Sequence, residues 1–203
     1  MENNQVTVTG MISKECAYDH TMHGEDFYKI EITVSRMSGV DDVLPVLISE
    51  RLFDVNEELF GHHVKVTGEY RSYNKREGER TRLILNVFAK EVEILDKEDI
   101  FEINYIFLDG YICKSPTYRK TPLDRDIADL LVAVNRPYGK TDYIPCVAWG
   151  RNARWAGGLS VGERVQIYGR IQSREYKKAL SETNIETRVA YEVSINSISS
   201  VAE

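Results

Sequence analysis

"RVQIYGRI", residues 164–171, alternates at every step: Arg164, Gln166, Tyr168 and Arg170 take one parity, Val165, Ile167, Gly169 and Ile171 the other. A period of two marks a strand with one wet and one buried face. The same pattern is written about a hundred residues earlier, where "VKVTGEYRS" (64–72) lies over "VQIYGRIQS" (165–173). From that pair the match extends in both directions. "VTVTGMI" (6–12) faces "IFLDGYI" (106–112), "IEITVSR" (30–36) faces "LLVAVNR" (130–136), and "VLPVLIS" (43–49) faces "YIPCVAW" (143–149). "KEVEI" (90–94) is set over "YEVSI" (191–195). A period of this size is a whole domain, not a solenoid unit of about 20–50 residues. The expectation is two copies of one small domain, 1–98 and 99–203, joined near "DKEDI" (96–100).

Strand-like runs fall in the second copy at about 104–113, 127–136, 142–149, 164–172 and 185–196. Between the third and fourth lies "GRNARWAGGL", with room for a helical turn or two. The equivalent stretch of the first copy, "SERLFDVNEELFG" (49–61), reads as the better helix. Its Leu52, Val55, Leu59 and Phe60 fall near one face, and Gly61 supplies a stop. Five strands with a helix between the third and fourth is the order of an OB-fold, a small Greek-key barrel. The fold class expected is therefore all-β: two tandem OB-folds, each with a short helix between strands 3 and 4. Gly10, Gly68, Gly110 and Gly169 are expected where strands bend sharply to close.

A chain that is 42% hydrophobic and 29% charged has the balance of a soluble globular protein. No apolar run approaches the roughly 20 residues a membrane helix needs, and "MENNQVTVTG" lacks the pattern of a secretory signal. A cytoplasmic location and no membrane partner are expected. Cys16, Cys113 and Cys146 are widely spaced and form no CxxC pair, which fits reduced thiols. The net charge of −6 argues against a nucleic-acid partner until it is divided. Residues 1–99 carry 12 Lys+Arg against 20 Asp+Glu; residues 100–203 carry 14 against 12. The second copy is the half suited to meet phosphate.

Single strands of nucleic acid are held by a positive groove and by aromatic rings on which bases stack, each worth about 1–3 kcal/mol. The second copy interleaves such residues in several places. The turn "NRPYGKTDY" carries Arg136, Tyr138, Lys140 and Tyr143; the third strand ends in Trp149 and leads to Arg151, Arg154 and Trp155. The arm "IQSREYKK" brings Arg174, Tyr176, Lys177 and Lys178 before the tip "ALSETN", and "TYRKTPLDR" (117–125) adds Tyr118, Arg119, Lys120 and Arg125. Tyr143 and Trp149 share a parity opposite to Ile144, Cys146 and Ala148, which favours a surface role over a core role for both rings. Trp155, inside the inter-strand segment, is expected to pack on the barrel. The first copy has no aromatic opposite Tyr138, Tyr143 or Trp149; its arm keeps Tyr70, Arg71, Tyr73, Lys75 and Arg76. Tyr73 and Arg71 are its candidate strand contacts.

Catalysis finds little support. Cys16, His20 and His23 have a spacing open to zinc but lack a second paired motif. Asp124, Asp126 and Asp129 lack the convergent partners of a two-metal hydrolase. No phosphate-cradling glycine loop, GxSxG or HExxH is present. No enzyme activity, metal or cofactor is expected.

Over about 103–198 the second copy resembles the bacterial single-stranded DNA-binding proteins. The resemblance rests on "NRPYGKTDYIPCVAWGRNARWA", "LSVGERVQIYGRIQSREYKK" and "ETRVAYEVSI", with "GxRVxIxGRIxSRxY" (162–176) the most specific part. It implies that Tyr138, Tyr143, Trp149 and Tyr176 stack against bases, in sequence-independent binding of single-stranded DNA during replication, recombination or repair. By analogy with a two-barrel variant of that family, two chains would form a homodimer with four barrels. Family members usually end in an acidic tail that recruits replication and repair proteins; this chain ends "NSISSVAE". The alternative is a protein-interaction module of the primosome-accessory kind with weak strand binding, which the acidic first copy favours. RNA binding through the same face is a third reading, since rings accept any base and only a 2′-hydroxyl contact would discriminate.

Overall fold

In the computed structural model the structure describes residues 3–54, 58–78, 80–96, 101–179 and 185–201. The first copy consists of β1 (Asn4–Met22), β2 (Glu25–Ser35), β3 (Asp41–Ser49), β4 (His63–Glu77) and β5 (Arg80–Ile94). Pairing runs β2-β3-β5-β4-β1 and closes through β1 and β2, so the five strands form a barrel. The β1–β2 hairpin turns at His23 and Gly24, both at positive φ (55° and 77°), the backbone of the tight turn that matches strand twist.

The second copy consists of β6 (Asn104–Ile112), β7 (Thr117–Lys120), β8 (Asp126–Arg136), β9 (Lys140–Trp149), α1 (Arg151–Ala156), β10 (Arg164–Ala179) and β11 (Ile185–Ser200). The ladder β6-β10-β11-β9-β8 closes through β6 and β8, with β7 added at the edge of β8. Inward parity fills each barrel: Ile30, Ile32, Leu44 and Val46 in the first, Ile144, Cys146, Ile167 and Val193 in the second. Each such aliphatic side chain stabilises the fold by about 1.5–3 kcal/mol. Burial pushes the Cys146 thiol far up, so it packs as an inert small hydrophobe.

The four expected bending points are close approaches of backbone. A Cβ on Gly68 would sit 2.1 Å from the carbonyl oxygen of Phe88, and one on Gly169 2.3 Å from that of Ser194. The ladder shifts register at both glycines, between Thr67 and Gly68 and between Tyr168 and Gly169. Gly10 and Gly110 are similarly crowded by Thr33 and Ala133.

Two expectations change. Among the described residues of 49–61, a 3-10 turn spans Glu50–Leu52, capped by Ser49 Oγ, and Glu58 and Leu59 are not helical. Val55 lies outside the described residues. Phe53 is already extended (φ −158°, ψ 160°), which ends the turn before an apolar face can build. Among the described residues the regular helix is α1 of the second copy. The last strands also correspond differently: Val46 pairs in parallel with Val87, and Cys146 with Val193. Val87 and Val193 are therefore equivalent, not Val92 and Val193, because the second copy's arm is longer. The linker expected at 96–100 lies almost wholly outside the described residues.

The barrels join along β1 and β6, antiparallel, with Asn4 opposite Leu108 and Val8 opposite Asn104. At the centre Val6 faces its own counterpart, Ile106. A pseudo-two-fold axis therefore passes between these residues, and contacts recur in pairs. The Asn4 amide bridges the N–H and C=O of Tyr70 at 2.9 and 2.8 Å; the Asn104 amide bridges those of Ile171 at 2.8 Å each. Across the axis, buried Asp42 accepts the N–H of Ser173 at 2.6 Å, and buried Asp142 accepts that of Ser72 at 2.7 Å. The serine hydroxyls return the contact, accepting from Val43 N–H at 3.1 Å and Tyr143 N–H at 2.7 Å. Each barrel thus grips the root of the other's arm. Among the described residues no helix is long and apolar enough to cross a membrane.

Candidate nucleic-acid interface

Strand pairing sets one face of the second barrel in rows, because residues directly opposite in a ladder share a side. Trp149 pairs with Ile127 and Ile127 with Arg119; Tyr143 pairs with Ala133 and Ala133 with Tyr111. A tryptophan beside an arginine forms one end of the face. Two tyrosines across a small alanine form the other. Tyr143 and Trp149 are each 40% exposed, whereas Ile144, Cys146 and Ala148 on the opposite parity are buried.

The corner between β8 and β9 presents Tyr138. It sits in the left-handed region (φ 64°, ψ 31°) and its side chain is entirely open to solvent. A bulky residue rarely adopts that backbone. The same corner in the first copy has Ser38 before Gly39.

The arm is a continuation of β10 and β11. Arg174 and Tyr176 lie on one side of it and Glu175 and Lys177 on the other, with Tyr176 opposite Arg188. Two clefts between the barrels receive these residues. Trp149, Arg119, Arg170 and Arg174 line one; Tyr176, Arg188, Pro45 and Pro145 line the other.

The cations divide into two groups. Arg136 Nε lies 3.0 Å from the buried Asp142 carboxylate, a pairing of charge without an aligned hydrogen bond. Arg154 is 3.5 Å from Asp126, and Arg71 is 2.9 Å from Glu69 while its guanidinium lies 3.6 Å over the Phe88 ring. Arg119 is held by Asp129 at 2.9 Å and Lys120 by Asp124 at 2.7 Å. Among the described residues, Lys140, Arg151 and Lys177 have no acid within 4.0 Å, and Arg174 reaches Glu192 only at 3.8 Å. The side chain of Lys178 lies outside the described residues.

Trp155 differs from expectation: α1 leaves it 43% exposed, because Ala153 and Ala156 take the buried side of this short helix. Tyr73 is exposed on the first copy's arm. Arg119, of the 117–125 cluster, joins the row of Trp149, and Tyr111, Arg170 and Arg188 join the clefts or the ring-bearing face without appearing among the candidate contacts. Only the strand register reveals them. In the first copy the rows read Val43–Thr33–Met11 and Ser49–Phe27–His20, with Phe27 buried. His20 stacks on Phe27 and lies 2.7 Å from Asp19, which gives it a partner other than metal.

A family model described as the single-strand binding protein family matches residues 103–200. A single-stranded DNA-binding protein of Thermus thermophilus is 32% identical over 138 residues, 60% of this chain and 52% of that protein. Single-stranded DNA-binding protein 3 of Streptococcus agalactiae is 34% identical over 97 residues, 44% of this chain and 70% of that protein. The chain spans about half the length of most curated relatives it matches. The crystal structure of the wild-type single-stranded DNA binding protein from Thermus aquaticus superimposes with a TM-score of 0.77 at 21% identity. That superposition covers 98% of this chain and 93% of the other, so the likeness of fold embraces both barrels. By these matches the chain belongs to the single-strand binding protein family.

Proposed function

We propose that the chain binds single-stranded DNA without catalysis and largely without regard to sequence. Bases stack on Tyr138, Tyr143, Trp149 and Tyr176, while Lys140, Arg151, Arg174, Lys177 and Lys178 neutralise phosphates. The observation that carries this reading is the outward row of β9, where Tyr143 and Trp149 open to solvent from a strand whose other face fills the barrel. The names of the relatives support it. The two domains divide at 1–98 and 99–203, and the first contributes mainly geometry, with a weaker strand contact through Tyr73.

The test is a titration with oligo-dT followed by tryptophan fluorescence. Quenching is expected in wild type and in Trp155→Phe, and absent in Trp149→Phe. Duplex DNA should not compete, and log affinity should fall with log salt by about 0.7 per phosphate contact. No quenching and no binding would overturn the reading.

We further propose a cytoplasmic homodimer with four barrels that serves replication or repair. On the outer face of the sheet around β6 and β10, half-exposed Tyr105 and Tyr168 stand against the buried Phe107, which supports such packing. Tyr168 lies 4.9 Å from Phe107 and 6.3 Å from Tyr105, ring centre to ring centre. Sedimentation should give a dimer, and Tyr168→Glu should give monomers; a wild-type monomer would sink the proposal.

A further inference from the structure

Tyr111 lies on the ring-bearing face, one strand beyond the β8–β9 pair that carries Tyr143. The ladder sets it opposite Ala133 of β8, and Ala133 opposite Tyr143 of β9. Residues opposite in a ladder share a side, so the two tyrosines flank the single methyl group of Ala133. Both rings are half-exposed. Among the described residues neither stacks on another ring, and neither hydroxyl is hydrogen-bonded. We propose that Tyr111 and Tyr143 are the walls of a slot, floored by Ala133, that takes one unpaired nucleobase between them. The inference rests on the reading of the chain as a single-strand binder. It adds to that reading a second wall, Tyr111, and a fixed place for one base.

The dimensions fit a base. Adjacent strands lie about 4.8 Å apart, so the roots of the two rings, two strands apart, are separated by roughly 10 Å. A flat base held between rings needs walls about 7 Å apart, twice the contact distance of about 3.5 Å between carbon atoms. A lean of each ring toward the other closes the difference. Ala133 keeps the slot open, since a longer side chain there would fill it. The walls are also fixed by the backbone. Gly110, on which a Cβ would sit 2.6 Å from the Ala133 carbonyl oxygen, brings β6 close over β8 immediately before Tyr111. The Tyr143 N–H is held by Ser72 Oγ at 2.7 Å. On its other side Tyr111 has Arg164 of β10 as register partner, and Arg164 is paired with Asp109 at 2.8 Å, so the acid two residues before Tyr111 is engaged. The equivalent row of the first copy, Met11–Thr33–Val43, has neither wall. A base held on both faces is parted from both its neighbours, a state that a duplex does not offer.

The first test needs no substitution. The protein is photocrosslinked to oligo-dT of about 8 nucleotides, within the site of one barrel, carrying a single iodouracil that is moved one position at a time. Adducts on Tyr111 and Tyr143 should come from the same position. Adducts on Tyr143 without Tyr111, or on the two tyrosines from different positions, overturn the slot and leave the proposed function standing. The second test compares wild type, Tyr111→Leu, Tyr111→Phe and Ala133→Leu. Tyr111→Leu and Ala133→Leu should each weaken oligo-dT binding about tenfold. The log–log salt slope should stay unchanged, because no phosphate contact is lost. Tyr111→Phe, which keeps the ring, should recover most of the loss. Wild-type affinity in Tyr111→Leu, or a flattened slope, overturns the slot. A wild type that binds no oligo-dT removes both the slot and the function on which it rests.

Discussion

Asp142 of the second barrel, fully buried, accepts the backbone N–H of Ser72 from the first at 2.7 Å. Ser72 Oγ then accepts the N–H of Tyr143, so a ring on the candidate binding face is positioned by the other barrel. Asp142→Ala leaves that N–H and Arg136 without their partner, and should lower unfolding free energy by about 3 kcal/mol in urea titrations. Arg136→Ala should act in the same direction while the folded fraction binds oligo-dT normally. A selective loss of affinity instead would place Arg136 on phosphate.

Gly169 lies where β10 shifts register under the carbonyl of Ser194. A methyl group there meets backbone that cannot yield. Gly169→Ala should cost about 3 kcal/mol by thermal or chemical unfolding. A loss below about 0.5 kcal/mol would mean that the bulge relaxes.

Asp109 accepts from Arg164 Nε at 2.8 Å and from Gln166 at 3.0 Å, and the Arg164 contact foremost holds its carboxyl below the usual range. A depressed folded-state value means that the stabilisation is present above the unfolded value of about 3.9 and is lost as pH falls through the lower, folded one. Asp109→Asn should be less stable than wild type by about 1 kcal/mol at pH 7. The gap should close in strong acid. Burial raises Asp142 instead, so its contribution has the opposite sign and grows as pH falls.

Tyr138 is held in a left-handed conformation that glycine adopts without strain. Tyr138→Gly should leave stability equal or raise it by about 0.5–1 kcal/mol, as relief of strain exceeds the added chain entropy. The same change should weaken oligo-dT binding about tenfold, the loss of one stacking ring. Equal losses of stability and affinity would show that the ring has a packing role.

Alternation in "RVQIYGRI" and the spacing of the four glycines made the barrels legible, because inward parity and backbone crowding are written residue by residue. The parity of Tyr143 and Trp149 was legible for the same reason. The share of the arginines was not. Whether Arg136 meets Asp142 or solvent depends on a clamp formed between barrels, and Arg119 reaches the row of Trp149 only through two ladders. The equivalence of Val87 with Val193 was hidden by an arm of different length, where local similarity between "KEVEI" and "YEVSI" outweighed the true register. Trp155 was misplaced because a helix as short as α1 can bury alanines and leave its largest side chain outside.

Val6 faces Ile106 at the centre of the strand pair that joins the barrels. In an assembly of identical chains such a contact would set a residue against itself, and every substitution would appear twice. Joining both halves in one chain lifts that constraint. Tyr143 can stand where its counterpart is Val43, and Trp149 where its counterpart is Ser49, without either change being imposed on the other half. One half is then free to specialise in holding a ligand and the other in holding its neighbour, a division of labour closed to a strictly symmetric pair.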